Sequence, residues 1–372
     1  MTESPVRRVL IVSHAYVDPA NHGKLRALAA RGLEVTLAVP QRWRDPALGA
    51  RVETSWERQN GVETFPIPVR GTSPLRMRYA NRALAALLRS KRPDLVHIEE
   101  EPRSAAARQV TRAALALGIP ATLFTWEGSQ AGGPLGRWRG RRTLRALRGA
   151  LAAGEGAAAA LRRDAPGLAV AVVPQFGVHV PASPAHRQHR GLAIACMGRL
   201  VRGKGLDTLL QALASNRSER WRLTIVGEGP ARESLERLAL ELRLAPRIRW
   251  AGALPAGHVT GLWPELDVLV LPAEQSTART ERSGDLVLEA MANEVAVIGT
   301  ATGVIPELVG ETGLVVPAGD LSRLAEALRR VADDGIRRPL AQQARQRAMR
   351  LYSSDAVAER TITFWNSLKA PP

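Results

Sequence analysis

The chain runs to 372 residues, 45% of them apolar, with a formal net charge of +17. That length suits two α/β domains of roughly 150–200 residues each, no apolar run approaches the ~20 residues needed to cross a bilayer, and a single cysteine, Cys196, excludes an intramolecular disulfide or a thiolate zinc cluster. The charge is lopsided, with 27 Lys and Arg against 14 Asp and Glu in residues 1–176 and 25 against 21 in residues 177–372. A basic first half points to anionic partners such as phosphorylated lipid, a membrane surface or nucleic acid, although an arginine-rich composition alone gives the same count.

The opening, MTESPVRRVLIVSHAY, enters a strand at once, and its apolar stretch is too short for a signal-peptide core. The expected location is the cytoplasm, or a peripheral position at the inner face of the membrane. Strands are predicted at Val9–Ser13, Glu34–Ala38, Leu95–Ile98, Ala121–Thr125 and Ala169–Val173. The stretch Pro174–Arg190, rich in Pro, Gly and His, reads as a linker. Further strands follow at Leu192–Met197, Arg222–Val226, Ile248–Ala251, Asp267–Leu271 and Val295–Gly299, with helices such as Leu206–Ala214 and Ala231–Leu242 between them. Most strands are near-continuous apolar runs, as parallel strands buried on both faces require. The alternation is the βαβ rhythm of doubly wound sheets. The tail after Ser354 reads as a helix carrying Phe364 and Trp365.

Several stretches of the first half carry chemistry. Gly23, after Asn21 and His22, allows close backbone approach at a helix start, while His14 and His22 read as ordinary loop histidines. The strand ending at Ile98 runs into Glu99, Glu100 and Glu101. Such crowded like charges need a cation, Arg103 or one from the basic helices, or the hydroxyls of a polar acceptor. Trp126 and Glu127 follow the next strand, and a carboxylate there can bind hydroxyls or act as a base. Pro134–Ala150 carries six arginines with Leu135, Trp138, Leu144 and Leu147. As a helix, 135–148 suits peripheral contact with an anionic membrane. A solvated helix packing Leu144 and Leu147 inward is the bland alternative.

The second half is more specific. In MGRLVRGKG, Met197 to Gly205, a buried strand gives way to a glycine turn with Arg199 and Lys204 and then a helix. Strand ends in open α/β sheets face the ligand crevice, and a cation pair there can hold a diphosphate and neutralise a departing leaving group. The spacing nearly spells a phosphate-binding Walker loop, but Gly205 stands where the magnesium-binding Ser or Thr belongs. In ERSGDLVLEAMA, a helix beginning near Gly284 places Glu289 about one and a half turns in and leaves Glu281 in the preceding loop. Its free N–H groups suit a phosphate. Glu289 can accept from ribose hydroxyls, and Glu281 can hold sugar hydroxyls. The Ala301–Asp320 stretch is a run of tight turns near the same sheet edge.

In this order, Gly198, Arg199, Lys204 and Gly205, then Glu281, Gly284 and Glu289, then Pro306 and Glu307 resemble the donor domain of glycosyltransferase family 4, with its Gly-Arg-Leu…Lys-Gly, E-x7-E and Gly-x-Pro-Glu motifs. The turn IVGEGP, containing Gly227, is similar to another motif of the family, and the likeness covers about residues 191–335. The chain opening also resembles a family 4 start, with Asn21, His22 and Gly23 where the family often has a Gly-Gly pair. There are further departures: Ser283 replaces a usual Phe, Glu294 to Ala296 replaces a usual Gly-x-Pro turn, and Glu127 replaces a histidine that many members place near the reacting sugar.

The resemblance implies the GT-B fold, two Rossmann-like doubly wound parallel-sheet domains facing across a cleft. The expected division is 1–176 for the acceptor side, 177–190 for the linker, 191–350 for the donor side, and 351–372 for a helix packing back on the first domain. It implies metal-independent transfer with retention from a UDP-, GDP- or ADP-sugar, which is substrate and not cofactor, to a glycan or lipid-linked acceptor. Arg199 and Lys204 then bind the diphosphate, Glu289 the ribose, and Glu281 with the 283–286 backbone the sugar. Gly198, Gly227 and Gly23 complete the donor side, and His14, Glu101, Trp126 and Glu127 the acceptor side. Arg199, Lys204, Glu281 and Glu127 are the expected catalytic groups, with no covalent nucleophile. The competing readings are a non-catalytic scaffold of the same fold and a sugar-nucleotide epimerase. No motif for reading nucleic acid is present.

Overall fold

The computed structural model describes residues 5–44, 51–126, 133–185, 191–216, 219–254, 259–274 and 281–368, with the backbone alone at 134 and 281–283. Two compact units emerge, residues 1–177 with 354–372 and residues 178–353. The chain therefore passes between them twice, at 177/178 and at 353/354.

Unit 1 opens with β1 (Arg8–Val12), α1 (Gly23–Ala30) and β2 (Glu34–Pro40). It continues through β3 (Glu57–Gln59), β4 (Val62–Ile67), α2 (Asn81–Lys91), β5 (Leu95–Glu99), α3 (Ala105–Leu115) and β6 (Ala121–Thr125). Then come α4 (Pro134–Leu144), β7 (Gly149–Ala152), α5 (Glu155–Asp164) and β8 (Ala169–Val172). The eight strands lie in the order β8-β7-β6-β5-β1-β2-β4-β3, parallel throughout except for β3. The order reverses between β1 and β5, and a ligand crevice in such sheets lies beyond the carboxyl ends of the strands at that reversal.

Unit 2 repeats the plan. It contains β9 (Leu192–Met197), α6 (Leu206–Ser215), β10 (Trp221–Val226), α7 (Arg232–Glu241), β11 (Ile248–Gly252) and β12 (Val268–Leu271). The unit ends with α8 (Glu281–Ala292), β13 (Ala296–Thr300), α9 (Ile305–Val309), β14 (Leu314–Val316), α10 (Leu321–Ala332) and α11 (Asp334–Arg347). Its six parallel strands run β11-β10-β9-β12-β13-β14. That is the 3-2-1-4-5-6 order of a dinucleotide-binding sheet, and its reversal falls between β9 and β12. Every residue of β9 and β12 is buried, which explains their unbroken apolar sequences: helices cover both faces.

The chain then returns to unit 1 as α12 (Ser354–Ser367). Its Val357, Ala358, Phe364 and Trp365 join the core of the first sheet. Among the described residues no helix is long and apolar enough to cross a membrane.

Candidate active site

The reversal point of unit 2 is built from glycine. After Met197 the backbone turns at Gly198 (φ 140°), Gly203 (φ 81°) and Gly205 (φ 67°). A Cβ at Gly205 would strike the carbonyl oxygen of Pro272, and one at Gly227 would strike that of Gly198. Glycine therefore lets the loops after β9, β10 and β12 lie backbone to backbone. Hydrogen bonds secure the same contact. Glu274 N–H donates to Gly203 O at 2.9 Å, Thr208 Oγ1 donates to Glu274 Oε1 at 2.7 Å, and Thr300 Oγ1, at the end of β13, donates to Ala273 O at 2.6 Å.

These loops line a small crevice bounded by Met197, Gly198, Arg199, Lys204, Pro272 and Ile305. Arg199 is exposed at its rim and Lys204 is half-buried within it. Among the described residues neither has a recorded carboxylate partner. Burial lowers the Lys204 ammonium from its ordinary pKa, because a cation drawn partly out of water is disfavoured. Burial likewise pushes the thiol of Cys196, which also lines the crevice, up to about 12, so Cys196 acts as an apolar wall.

Helix α8 begins at Glu281 rather than near Gly284, which corrects the expectation that Glu281 sits in a loop. Nothing in ERSGDLVL except Gly284 opposes helix, and one glycine does not outweigh its neighbours. Glu281 and Ser283 thus lie in the first turn, their side chains outside the described residues. Glu289, two turns further on, is half-buried and accepts from Trp263 Nε1 at 3.1 Å. Gly284 is buried, with Val304 and Leu308 at ordinary contact distance from the position of a Cβ. Asp285 is exposed, and Leu286 packs on the core. The crevice thus gathers Gly198, Arg199 and Lys204, with Gly227 behind them; Glu289 is not among its lining residues. Trp263, Thr208, Glu274 and Thr300 escaped sequence reasoning. For Glu274 the signal was there, an acid just past an apolar strand, as with Glu99.

The reversal point of unit 1 holds the three consecutive glutamates, each with protein partners. Glu99 is fully buried, 2.5 Å from the equally buried Lys24 Nζ, and it accepts from Tyr16 Oη at 3.2 Å and Gln175 Nε2 at 2.8 Å. The cation paired with Glu99 is therefore Lys24 of α1. Glu100 accepts from His14 N at 2.9 Å and lies 2.7 Å from His14 Nδ1, whose ring leans on Trp43 with centroids 5.4 Å apart. Glu101 accepts from Thr125 Oγ1 at 2.7 Å and Trp126 N at 2.9 Å. Trp126 is half-buried edge-on to Phe124. Glu127 lies outside the described residues. His22, buried, donates from Nε2 to Tyr16 O at 2.8 Å. Gly23 begins α1 at φ −52°, and a Cβ there would collide with Ser354 Oγ, so its lack of a side chain serves packing of α12. Among the described residues no group of His, Cys, Asp and Glu is placed to hold a metal ion.

Two family models match this chain, "Glycosyl transferases group 1" over residues 191–334 and "Glycosyl transferase 4-like domain" over residues 19–175. Among curated relatives, a GDP-mannose-dependent alpha-(1-6)-phosphatidylinositol monomannoside mannosyltransferase of Mycobacterium tuberculosis is 36% identical over 141 residues, 36% of this chain and 37% of the relative. The protein of the same name from Mycolicibacterium smegmatis is 32% identical over 194 residues, 50% of each chain. The match thus spans half the length of these relatives or less. Among solved structures, Anabaena HepE in complex with UDP superposes with a TM-score of 0.70 at 13% identity, covering 97% of this chain and 100% of that one. At that identity the likeness speaks for the fold, which is GT-B.

Proposed function

This chain belongs to glycosyltransferase family 4, and on that premise we propose that it transfers a hexose from a nucleoside-diphosphate sugar, with retention and without a metal ion, to a lipid-linked or glycan acceptor. Unit 2 takes the donor and unit 1 the acceptor. GDP-mannose is the first donor to try, since both mycobacterial relatives are named for it. The observation that carries the reading is Lys204, a half-buried ammonium with no carboxylate partner among the described residues, beside exposed Arg199 on a glycine loop at the reversal point of a dinucleotide-type sheet.

A diphosphate in that crevice supplies an anion for the half-buried lysine. As the sugar–phosphate bond breaks, charge accumulates on the leaving oxygen, and Lys204 and Arg199 are already oriented to meet it. The start of α8 adds backbone N–H groups for the same phosphates. Glu289, held by Trp263, binds the ribose hydroxyls, and Glu281 and the 283–286 backbone hold the sugar. On unit 1, His14, Glu101, Trp126 and Glu127 lie on the acceptor side, with Gly23 at the start of α1.

Donor turnover measured across UDP-, GDP- and ADP-hexoses in the presence of EDTA tests this. Turnover is expected with at least one donor. It should fall by about 10²–10³ in Lys204→Ala and fall markedly in Glu289→Ala. Undiminished turnover in both variants refutes the assignment of the site.

A further inference from the structure

The short helix α9 meets the donor crevice at one end and an arginine at the other. Its five residues cannot hold a helix unaided, so its position depends on what packs against it. Ile305, at its start, lines the crevice. Glycines seat that end: a Cβ at Gly299 of β13 would collide with Ile305 Cγ2, and one at Gly284 of α8 would touch Val304 and Leu308. The far end leaves four backbone carbonyls to be satisfied from beyond the helix. Gly310 N donates to Pro306 O at 2.9 Å, and Thr312 donates to Val309 O from N at 3.1 Å and from Oγ1 at 2.8 Å. The remaining two carbonyls fall to one side chain. Arg347 Nε donates to Leu308 O and Nη2 to Glu307 O, each at 2.9 Å.

Arg347 closes α11, and the residues after it, Ala348–Tyr352, form a π turn. In a regular α-helix, residues five apart lie about 140° apart around the axis. The wider π turn brings Tyr352 round to the side of Arg347. The guanidinium lies 5.8 Å from the Tyr352 ring centroid, and its Nη2 donates to Tyr352 Oη at 3.4 Å. That hydroxyl donates in turn to the same Glu307 O at 3.5 Å. Gly310 leaves the guanidinium its space, since a Cβ there would stand 3.0 Å from Arg347 Cζ. Arg345, buried on the same helix, does for α8 what Arg347 does for α9. It donates to the carbonyl of Ala292, the last residue of α8, and to those of Pro181 and Ala182. Neither arginine is in a salt bridge among the described residues. A guanidinium drawn onto neutral carbonyls gives up hydration, which a place at a helix C-terminus offsets only in part. What the arrangement secures is the placing of two helices.

We infer that Arg347, with Tyr352 beside it, is a positioning residue for the nucleotide-sugar donor. It sets where α9 stands and so where Ile305 closes the crevice that Lys204 lines, while Arg345 anchors the end of α8, the helix of Glu289. Neither arginine lines the crevice itself. The inference rests on the assignment of that crevice to the donor.

Calorimetric titration of the full chain with GDP, UDP and ADP, together with kcat and KM for the corresponding nucleotide hexoses, tests it. The wild type should bind at least one nucleotide. Arg347→Ala should weaken that nucleotide and raise the donor KM by about ten- to a hundredfold, because a wall displaced by an ångström is felt on that scale. Arg347→Lys keeps the charge but reaches one carbonyl where the guanidinium reaches two, so its KM should fall between those of Arg347→Ala and the wild type. Tyr352→Phe, which removes only the hydroxyl, should shift KM the same way by a smaller factor. A purely structural role predicts otherwise: fewer folded molecules, a lower apparent kcat, and wild-type Kd and KM in those that remain. That result in Arg347→Ala overturns the inference. If Arg347→Ala does not fold, wild-type Kd in both Arg347→Lys and Tyr352→Phe overturns it equally. A wild type that binds none of the three nucleotides sinks the donor reading itself, a failure visible before any variant is made.

Discussion

His97 lies fully buried on β5, with Nδ1 2.8 Å from Thr122 Oγ1 and its ring edge-on to Trp365 at 5.2 Å. Burial, and then the charge of Lys24, hold its imidazole well below the ordinary value of 6.5. The unfolded chain therefore takes up a proton below about pH 6.5 that the folded chain refuses. The stability tied to His97 is whole above that pH and drains away as the pH falls toward the folded value, by at most about 1.4 kcal/mol per unit. Denaturant unfolding compared at about pH 7.5 and about pH 5.5 should show this loss, and His97→Gln should flatten it. Identical slopes for the two proteins would remove His97 as the cause. The sequence displays the need for charge compensation nearby without displaying its source. Three adjacent glutamates call for a cation, but Lys24 stands 75 residues before Glu99, and only the folded chain brings α1 to the end of β5.

The element that most directly sets the donor crevice is the turn from β9 into α6. Gly205 caps that helix at φ 67°, with the Pro272 carbonyl where a Cβ would be. Gly205→Ala should cost about 1–3 kcal/mol from the backbone conformation alone, with more from the collision, and should displace the neighbouring Lys204 and weaken donor binding. Urea unfolding together with nucleotide titration checks both effects, and unchanged affinity and stability would show the loop tolerates the shift. At this scale the sequence was largely legible, because buried parallel strands advertise themselves as apolar runs; Leu192–Met197 is marked to the residue. Strands without that signature went unread. β3 is ERQ, fully exposed, β4 is VETFPI with polar residues and a proline, and β7 is GALA, too short and too small-chained to stand out. The sequence pattern puts the start of α8 near Gly284, three residues after Glu281, because a glycine resembles a boundary when its neighbours' helical context is discounted.

For the molecule as a whole, the last helix in the sequence belongs to the first fold. Val357, Ala358 and Thr361 of α12 are fully buried, Trp365 meets His97, and a Cβ at Gly149 of β7 would collide with Phe364. Each large aromatic lost from such a core costs about 3–5 kcal/mol, and a domain has only about 5–15 kcal/mol to lose. A chain ending at Ser353 should therefore lose the structure of unit 1 while unit 2, whose core is made wholly from residues of the 178–353 unit, keeps its own. Amide hydrogen exchange resolves the two. Protection should collapse along Arg8–Val12 and Leu95–Glu99 and persist along Leu192–Met197 and Val268–Leu271. Trp365→Ala in the full chain is the milder version, expected to raise exchange in the same two strands of unit 1 without touching unit 2. Protection retained in unit 1 after truncation would mean its sheet closes without α12. The buried faces of His97 and Gly149 would then have to find other cover, and the pH dependence argued for His97 should weaken in the same truncated protein.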